Sequence, residues 1–178
     1  MNKRGFTLVE LIVVIGIISL LSSIVLASLG NARAKARDAR RLVDMHNIRT
    51  ALELYKSKYG VYPGEDTVAG STCGGYDAGY KDASDPGFIP GLVADGIFGK
   101  TPGDPLSDGC AEEGGGDHVY KYEYKENGMP ALGCPKPFYI LGIKNMETIT
   151  GAHPSSPGFP ECTGYSLAAF EWAIGSYE

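Results

Sequence analysis

Residues 6–29 constrain this chain more than any other stretch. FTLVELIVVIGIISLLSSIVLASL is an almost unbroken apolar run with a single carboxylate, Glu10, near its start. About 20 such residues, rising ~1.5 Å each as a helix, cross the ~30 Å hydrocarbon core of a bilayer. The short basic leader Met1-Asn2-Lys3-Arg4-Gly5 precedes the run. A secretory signal would show a shorter apolar core ending in a small-residue cleavage site. Here the run continues without a break, and Ala27-Ser28-Leu29 is only a weak alternative cleavage site. Lys3 and Arg4 hold the N-terminus in the cytoplasm by the positive-inside rule and send the rest of the chain across. Arg33, Lys35, Arg37, Arg40 and Arg41 then lie on the far side, against the simple rule.

The charge distribution divides the chain near Gly60. Residues 1–60 hold 10 Lys/Arg and 4 Asp/Glu, whereas residues 61–178 hold 6 Lys, no Arg and 17 Asp/Glu. The net values are +6 and −11. All 11 prolines and 21 of the 25 glycines also fall in the second part. A regular helical part therefore precedes a turn-rich one. So acidic a head excludes nucleic-acid binding there, because phosphate contacts need clustered positive charge.

Between Asn31 and Tyr59 the helical pattern continues. Leu42, Met45, Ile48, Leu52, Tyr55 and Tyr59 recur every three or four residues and make one apolar stripe for docking the head. Gly60 caps the helix and Pro63 prevents its resumption. The basic positions Arg33, Lys35, Arg37, Arg40 and Arg41 form a collar beyond the apolar run. It reads as a solvated face with local pairs to Asp38 and Asp44, or as a contact for anionic lipid or for the acidic head of another copy.

Residues 64–118 read mostly as loop, dense in Gly, Asp, Ser and Pro, with a short apolar segment over 88–96 that offers one helical turn leading to Phe98. Residues 118–124 alternate aromatic and charged side chains as a half-buried strand does. Glu126-Asn127-Gly128 is a turn signal, and residues 138–143 are strand-forming. The segment 165–177 reads as a third strand, with a short helix as its alternative. An antiparallel sheet on the helix stripe gives an α+β head.

The four cysteines, Cys73, Cys110, Cys134 and Cys162, all lie beyond the apolar run. An even count in an exported Gly-rich domain suggests two disulfides. Of three possible connectivities, Cys73–Cys110 with Cys134–Cys162 closes the most local loops. No catalytic constellation appears: His46, His118 and His153 are scattered, and no nucleophile stands beside a base. No cofactor is implied by these patterns. Asp104 and Asp108, in DPLSDG, are candidate oxygen donors for calcium, although the spacing is not that of an EF-hand.

The leader, the Gly-Phe junction, Glu10 and the apolar run stand in one register, and GFTLVEL resembles the N-terminus of type IV pilins and related pseudopilins. The resemblance extends along the helix to Tyr62-Pro63, through ALELYKSKYGVYP, and is closest to the G-type pseudopilins and related pilins. FIPGLVADGIFGKTPGDP is similar to the loop that follows the long helix there. The resemblance implies a type IV pilin fold. It implies cleavage between Gly5 and Phe6 by a prepilin peptidase and N-methylation of Phe6. It implies assembly, at an inner-membrane platform, into a homopolymeric filament in which Glu10 pairs with the Phe6 amine of a neighbour. It also implies calcium binding in G-type heads. Many members carry a proline, linked to unwinding in the filament, where this chain has Ala27. A carboxylate at membrane depth costs ~2.5–3.5 kcal/mol on insertion scales, so Glu10 needs a partner or a task.

These readings divide the chain into a leader (1–5), a transmembrane and filament-core helix (6–29), an amphipathic helical half (30–60) and a head (61–178). The expected product is a structural subunit rather than an enzyme. It is a single-pass membrane protein in contact with lipid before assembly, and part of a surface or periplasmic filament afterwards. The alternatives are the major G-type pseudopilin of a type II secretion system and a single-pass membrane binding protein or enzyme.

Overall fold

The computed structural model describes residues 5–65, 72–73, 76–79, 88–106 and 118–178. Its main element is one helix, α1, running without interruption from Leu8 to Tyr59 over 52 residues, or about 78 Å. Thr7, in an extended conformation, caps its start. Gly60, at φ 79°, ends it in the left-handed conformation and donates its N–H to Lys56 O at 2.7 Å. With no proline inside, the helix passes through Gly16 and Gly30 unbroken.

The head is built on a five-stranded antiparallel sheet whose spatial order follows the sequence: β1 (Thr72–Cys73), β2 (Tyr76–Gly79), β3 (Val119–Lys125), β4 (Phe138–Lys144) and β5 (Trp172–Tyr177). A short helix, α2 (Pro90–Ala94), lies between β2 and β3, where a helical turn is expected. β1 and β2 correct the reading of 64–118 as loop. They hold two and four residues, too short to show a period, and take their order from pairing with β3. The C-terminal segment is a strand only from Trp172 onward; residues 165–171 are turns.

The two faces of the sheet bury different things. Toward α1 point Tyr120 and Tyr122 of β3, Tyr139, Leu141 and Ile143 of β4, and Trp172 and Ile174 of β5, packed on Met45, Ile48 and Leu52. Those three helix residues are completely buried, Leu42 and Tyr55 partly so, and Tyr59 is exposed. The stripe therefore docks the head as expected, except at its last position.

The opposite face is covered by the chain between β4 and β5. Phe159 and Phe170 from this connection pack with Phe138, Ile140 and Ala173. Cys134 is bonded to Cys162, with Cα atoms 5.2 Å apart, which fixes the connection over the sheet. Gly158 bridges β5 in parallel, with N–H···O bonds of 2.9 Å on both sides, and so covers that edge. Gly142 is required here, since a Cβ at that position would lie 2.8 Å from Phe170 Cε1. Cys73 is also disulfide-bonded, while Cys110 lies outside the described residues.

This cover changes the reading of β3. Its charged residues Lys121 and Glu123 do not face water but are buried under the connection. Glu123 accepts a hydrogen bond from Tyr165 Oη and pairs with Lys125 at 2.5 Å. Lys121 Nζ stands 5.5 Å from the centre of the Tyr76 ring.

Candidate assembly interface

The first half of α1 has no partner in the monomer. The apolar side chains from Leu8 to Leu26 are 48–73% exposed, on every side of the helix rather than in one stripe. Within the run, Ser19 Oγ donates to Ile15 O at 2.7 Å and Ser23 Oγ to Leu20 O at 2.8 Å, so these hydroxyls are satisfied by the helix itself. The helix is long and apolar enough to cross a membrane.

Glu10 sits at the start of this surface in a complete capping box. Thr7 Oγ1 accepts the Glu10 N–H at 3.2 Å, and Glu10 Oε2 accepts both the Thr7 N–H and the Thr7 hydroxyl at 2.8 Å. One carboxylate oxygen thus closes the helix start. Glu10 Oε1 accepts no hydrogen bond among the described residues. The Thr-x-x-Glu spacing was the legible signal for this role; a favourable helix-dipole position accounts for only part of it.

At the other end of the interface the head is clamped to α1 by a buried ionic cluster. Arg41 is completely buried. Its Nε and Nη2 donate to the two oxygens of Asp104 at 2.7 and 2.9 Å, and its Nη1 donates to Asp38 at 2.5 Å and Glu147 at 2.9 Å. Arg37 adds a second fork onto Glu147, from Nε at 2.6 Å and from Nη2. Asp38 in turn accepts the backbone N–H groups of Glu147 and Thr148 and the Thr148 hydroxyl, at 3.0, 2.9 and 2.6 Å. The cluster joins the helix to the 101–106 loop and to the chain after β4.

These contacts set the local electrostatics. The two Arg37 bonds hold the Glu147 carboxyl below its ordinary range. Burial raises the Asp38 carboxyl, but Thr148, the two backbone donors and Arg41 outweigh it, and the net shift is downward. Burial opposes the charge of Arg41, and its three carboxylates overcome that and raise its pKa. Nearby, Tyr120 Oη donates to Asp44 at 2.9 Å, and burial raises the Asp44 carboxyl.

One sequence expectation is corrected by this geometry. Arg41 is not part of a solvated collar; it belongs to the interior, and only Arg33, Lys35 and Arg40 remain exposed. Of the two candidate calcium donors, Asp104 has both oxygens held by the Arg41 guanidinium, and its Oδ1 also accepts the Leu106 N–H at 2.9 Å. Its expected companion Asp108 lies outside the described residues. Among those residues no cluster of three metal-ligating side chains occurs.

Comparison with known proteins places the chain. Residues 1–26 match the prokaryotic N-terminal methylation motif. The type II secretion system core protein G of Dickeya chrysanthemi is 29% identical over 131 residues, covering 72% of this chain and 81% of that protein. The homologous core protein G of Klebsiella michiganensis is 32% identical over 104 residues, 58% of this chain and 68% of that one. The type IV major pilin PilE1 of Neisseria gonorrhoeae is 27% identical over 141 residues, 76% and 77% of the two chains. No solved structure matches. With an exposed apolar helix behind a methylation motif, an α+β head clamped to its second half, and relatives of both kinds, the chain belongs to the family of type IV pilins and type II secretion G-type pseudopilins.

Proposed function

We propose that this chain is the repeating subunit of a type IV pilus-like filament. It is made as a membrane precursor with its N-terminus in the cytoplasm and its head across the membrane. A prepilin peptidase cuts between Gly5 and Phe6 and methylates the new Phe6 amine. An inner-membrane platform then draws the subunit from the bilayer into the filament. The observation that carries this reading is the exposed apolar surface of α1, present on all sides from Leu8 to Leu26. Such a surface needs lipid before assembly and other helices after it; since lipid already shields it from water, the second step is held by helix–helix packing and polar pairing.

Glu10 sets the register. Its Oε2 keeps the helix start closed on Thr7, which leaves Oε1 to receive the ammonium of a neighbouring Phe6. Replacing Glu10 by Gln keeps the shape and removes the charge. The Glu10→Gln chain is expected to be cleaved and to stay in the membrane, with filament yield lost in sheared-cell electron microscopy. Normal filaments from this variant would contradict the assignment. The G-protein relatives support a second reading, a secretion pseudopilus, since similarity to them runs well into the head. Long filaments sheared from cells at native expression favour the pilus; filaments confined to the periplasm favour the pseudopilus.

A further inference from the structure

The head exposes two cationic side chains, Arg40 and Lys100, at one end and two glutamates, Glu126 and Glu161, beside Lys136 at the other. Its membrane-proximal end is the one beside residues 33–41 of α1. There, between the helix and the 100–105 loop, lies a cavity of about 300 Å³ bounded by Arg40, Lys100, Thr101 and Asp104. Asp104 is neutralised from within by Arg41. The Arg40 side chain is 64% exposed and only loosely paired with Asp44, at 3.7 Å. Lys100 is exposed and makes no ion pair among the described residues. The Thr101 hydroxyl is buried and has no hydrogen-bond partner among those residues. Two cationic side chains at the mouth of this cavity suit a carboxylate.

The distal end supplies such groups. β3 starts beside the lower helix, where Tyr120 bonds Asp44, and ends where the Tyr124 ring meets Tyr62, just past the end of α1. The turn that follows it, with Glu126, therefore caps the far end of the head, about 30 Å further along the axis than Arg40. Glu161 lies at the same end, its carbonyl accepting from Tyr177 Oη at 3.2 Å. Both glutamates are exposed and neither forms an ion pair among the described residues.

We infer that the Arg40–Lys100–Thr101 cavity receives a distal glutamate, Glu126 or Glu161, of a second copy of this chain, so that heads join end to end along the filament. The inference rests on the filament reading above and adds a specific contact to it. Exposed cations at one end and exposed carboxylates at the other form a heterologous pair, the kind of contact that propagates a helical filament instead of closing a dimer. Lipid phosphate is a poorer occupant. Arg40 lies eleven residues beyond Leu29, about 16 Å of helix, whereas the head-group layer is only about 5–8 Å deep.

Carbodiimide cross-linking of intact filaments, read by peptide mass spectrometry, tests the contact. Lys100 should be joined to Glu126 or Glu161. Such a bond must link two copies, because the groups stand at opposite ends of one head. In parallel, the full-length Lys100→Glu chain should reach the membrane and be processed normally but lose filaments, and adding Glu126→Lys or Glu161→Lys should restore them. The contact is overturned if Lys100→Glu assembles normally, if neither second change rescues it, or if cross-linked filaments never join Lys100 to either glutamate. Absence of filaments from the unaltered chain, seen by microscopy before any cross-linking, would overturn the filament reading itself.

Discussion

At the scale of single residues, Arg41 fixes where the head sits on the helix, because carboxylates from three segments converge on it. Removing one member of a buried ionic cluster leaves the others uncompensated, which costs about 3–5 kcal/mol. Arg41→Ala is expected to destabilise the head by that amount, measured by chemical denaturation of the full chain in detergent. Arg40→Ala, an exposed position, should change stability by less than about 0.5 kcal/mol. Equal effects at the two positions would contradict the buried placement of Arg41. The same cluster dictates the response to acid. Asp38 and Glu147 have lowered pKa values in the folded head, so their stabilisation is present above the ordinary carboxylate range and is lost as pH falls below about 4. Asp44, whose pKa is raised by burial, works in the opposite direction over its own titration. Asp95 is lowered by Lys58 and Glu65 raised by burial, so three lowered carboxyls stand against two raised, and the head is expected to lose stability on the acid side of about pH 4, which a pH series of unfolding midpoints checks.

At the scale of elements, α1 and the cover over β3–β5 separate what the sequence reveals from what it conceals. The helix is legible from its apolar run, from Gly60 at its end and from the Met45–Ile48–Leu52 spacing of its docking face, while its start at the Thr7 cap comes from the structure. That face extends further back than apolar residues alone suggest. Asp38, Arg41, Met45, Ile48 and Leu52 follow one another by three or four, so the two charged residues lie on the same seam as the core. Composition marks them as solvated; phase marks them as buried. β1 and β2 could not be read, because strands of two and four residues take their definition from the partner strand and not from their own pattern. Lys121 and Glu123 look solvent-facing by alternation, since nothing local shows that residues 145–171 return to cover them. That cover is held by Cys134–Cys162, a separation of 28 residues, which the chain-entropy model values at about 3–4 kcal/mol. The Cys134→Ser/Cys162→Ser chain should lose stability of that order and gain proteolytic sensitivity within 145–171, seen by limited digestion. For α1, glycine costs only about 1 kcal/mol per position and no proline intervenes. The helix is therefore expected to remain continuous through Gly16 and Gly30 in the filament, and a break there in a filament reconstruction would contradict this.

At the scale of the whole molecule, the chain consists of a helix that satisfies its own backbone everywhere and a head that satisfies only the second half of that helix. The first half is left for other molecules, lipid in one state and copies of itself in the other. At the end of the head beside residues 33–41, Arg40 and Lys100 are exposed, and at the far end Glu126 and Glu161 are exposed. Pairing of these ends along a filament axis should make assembly sensitive to salt, with filament yield falling as ionic strength rises beyond about 0.15 M, where screening acts over ~8 Å. All of this presupposes that the chain enters the prepilin pathway, and the mature N-terminus reports on that directly. Intact-mass and peptide mass spectrometry of the protein from native membranes is predicted to find a chain starting at N-methylated Phe6. An intact Met1, or a chain starting near Leu29, would contradict the account.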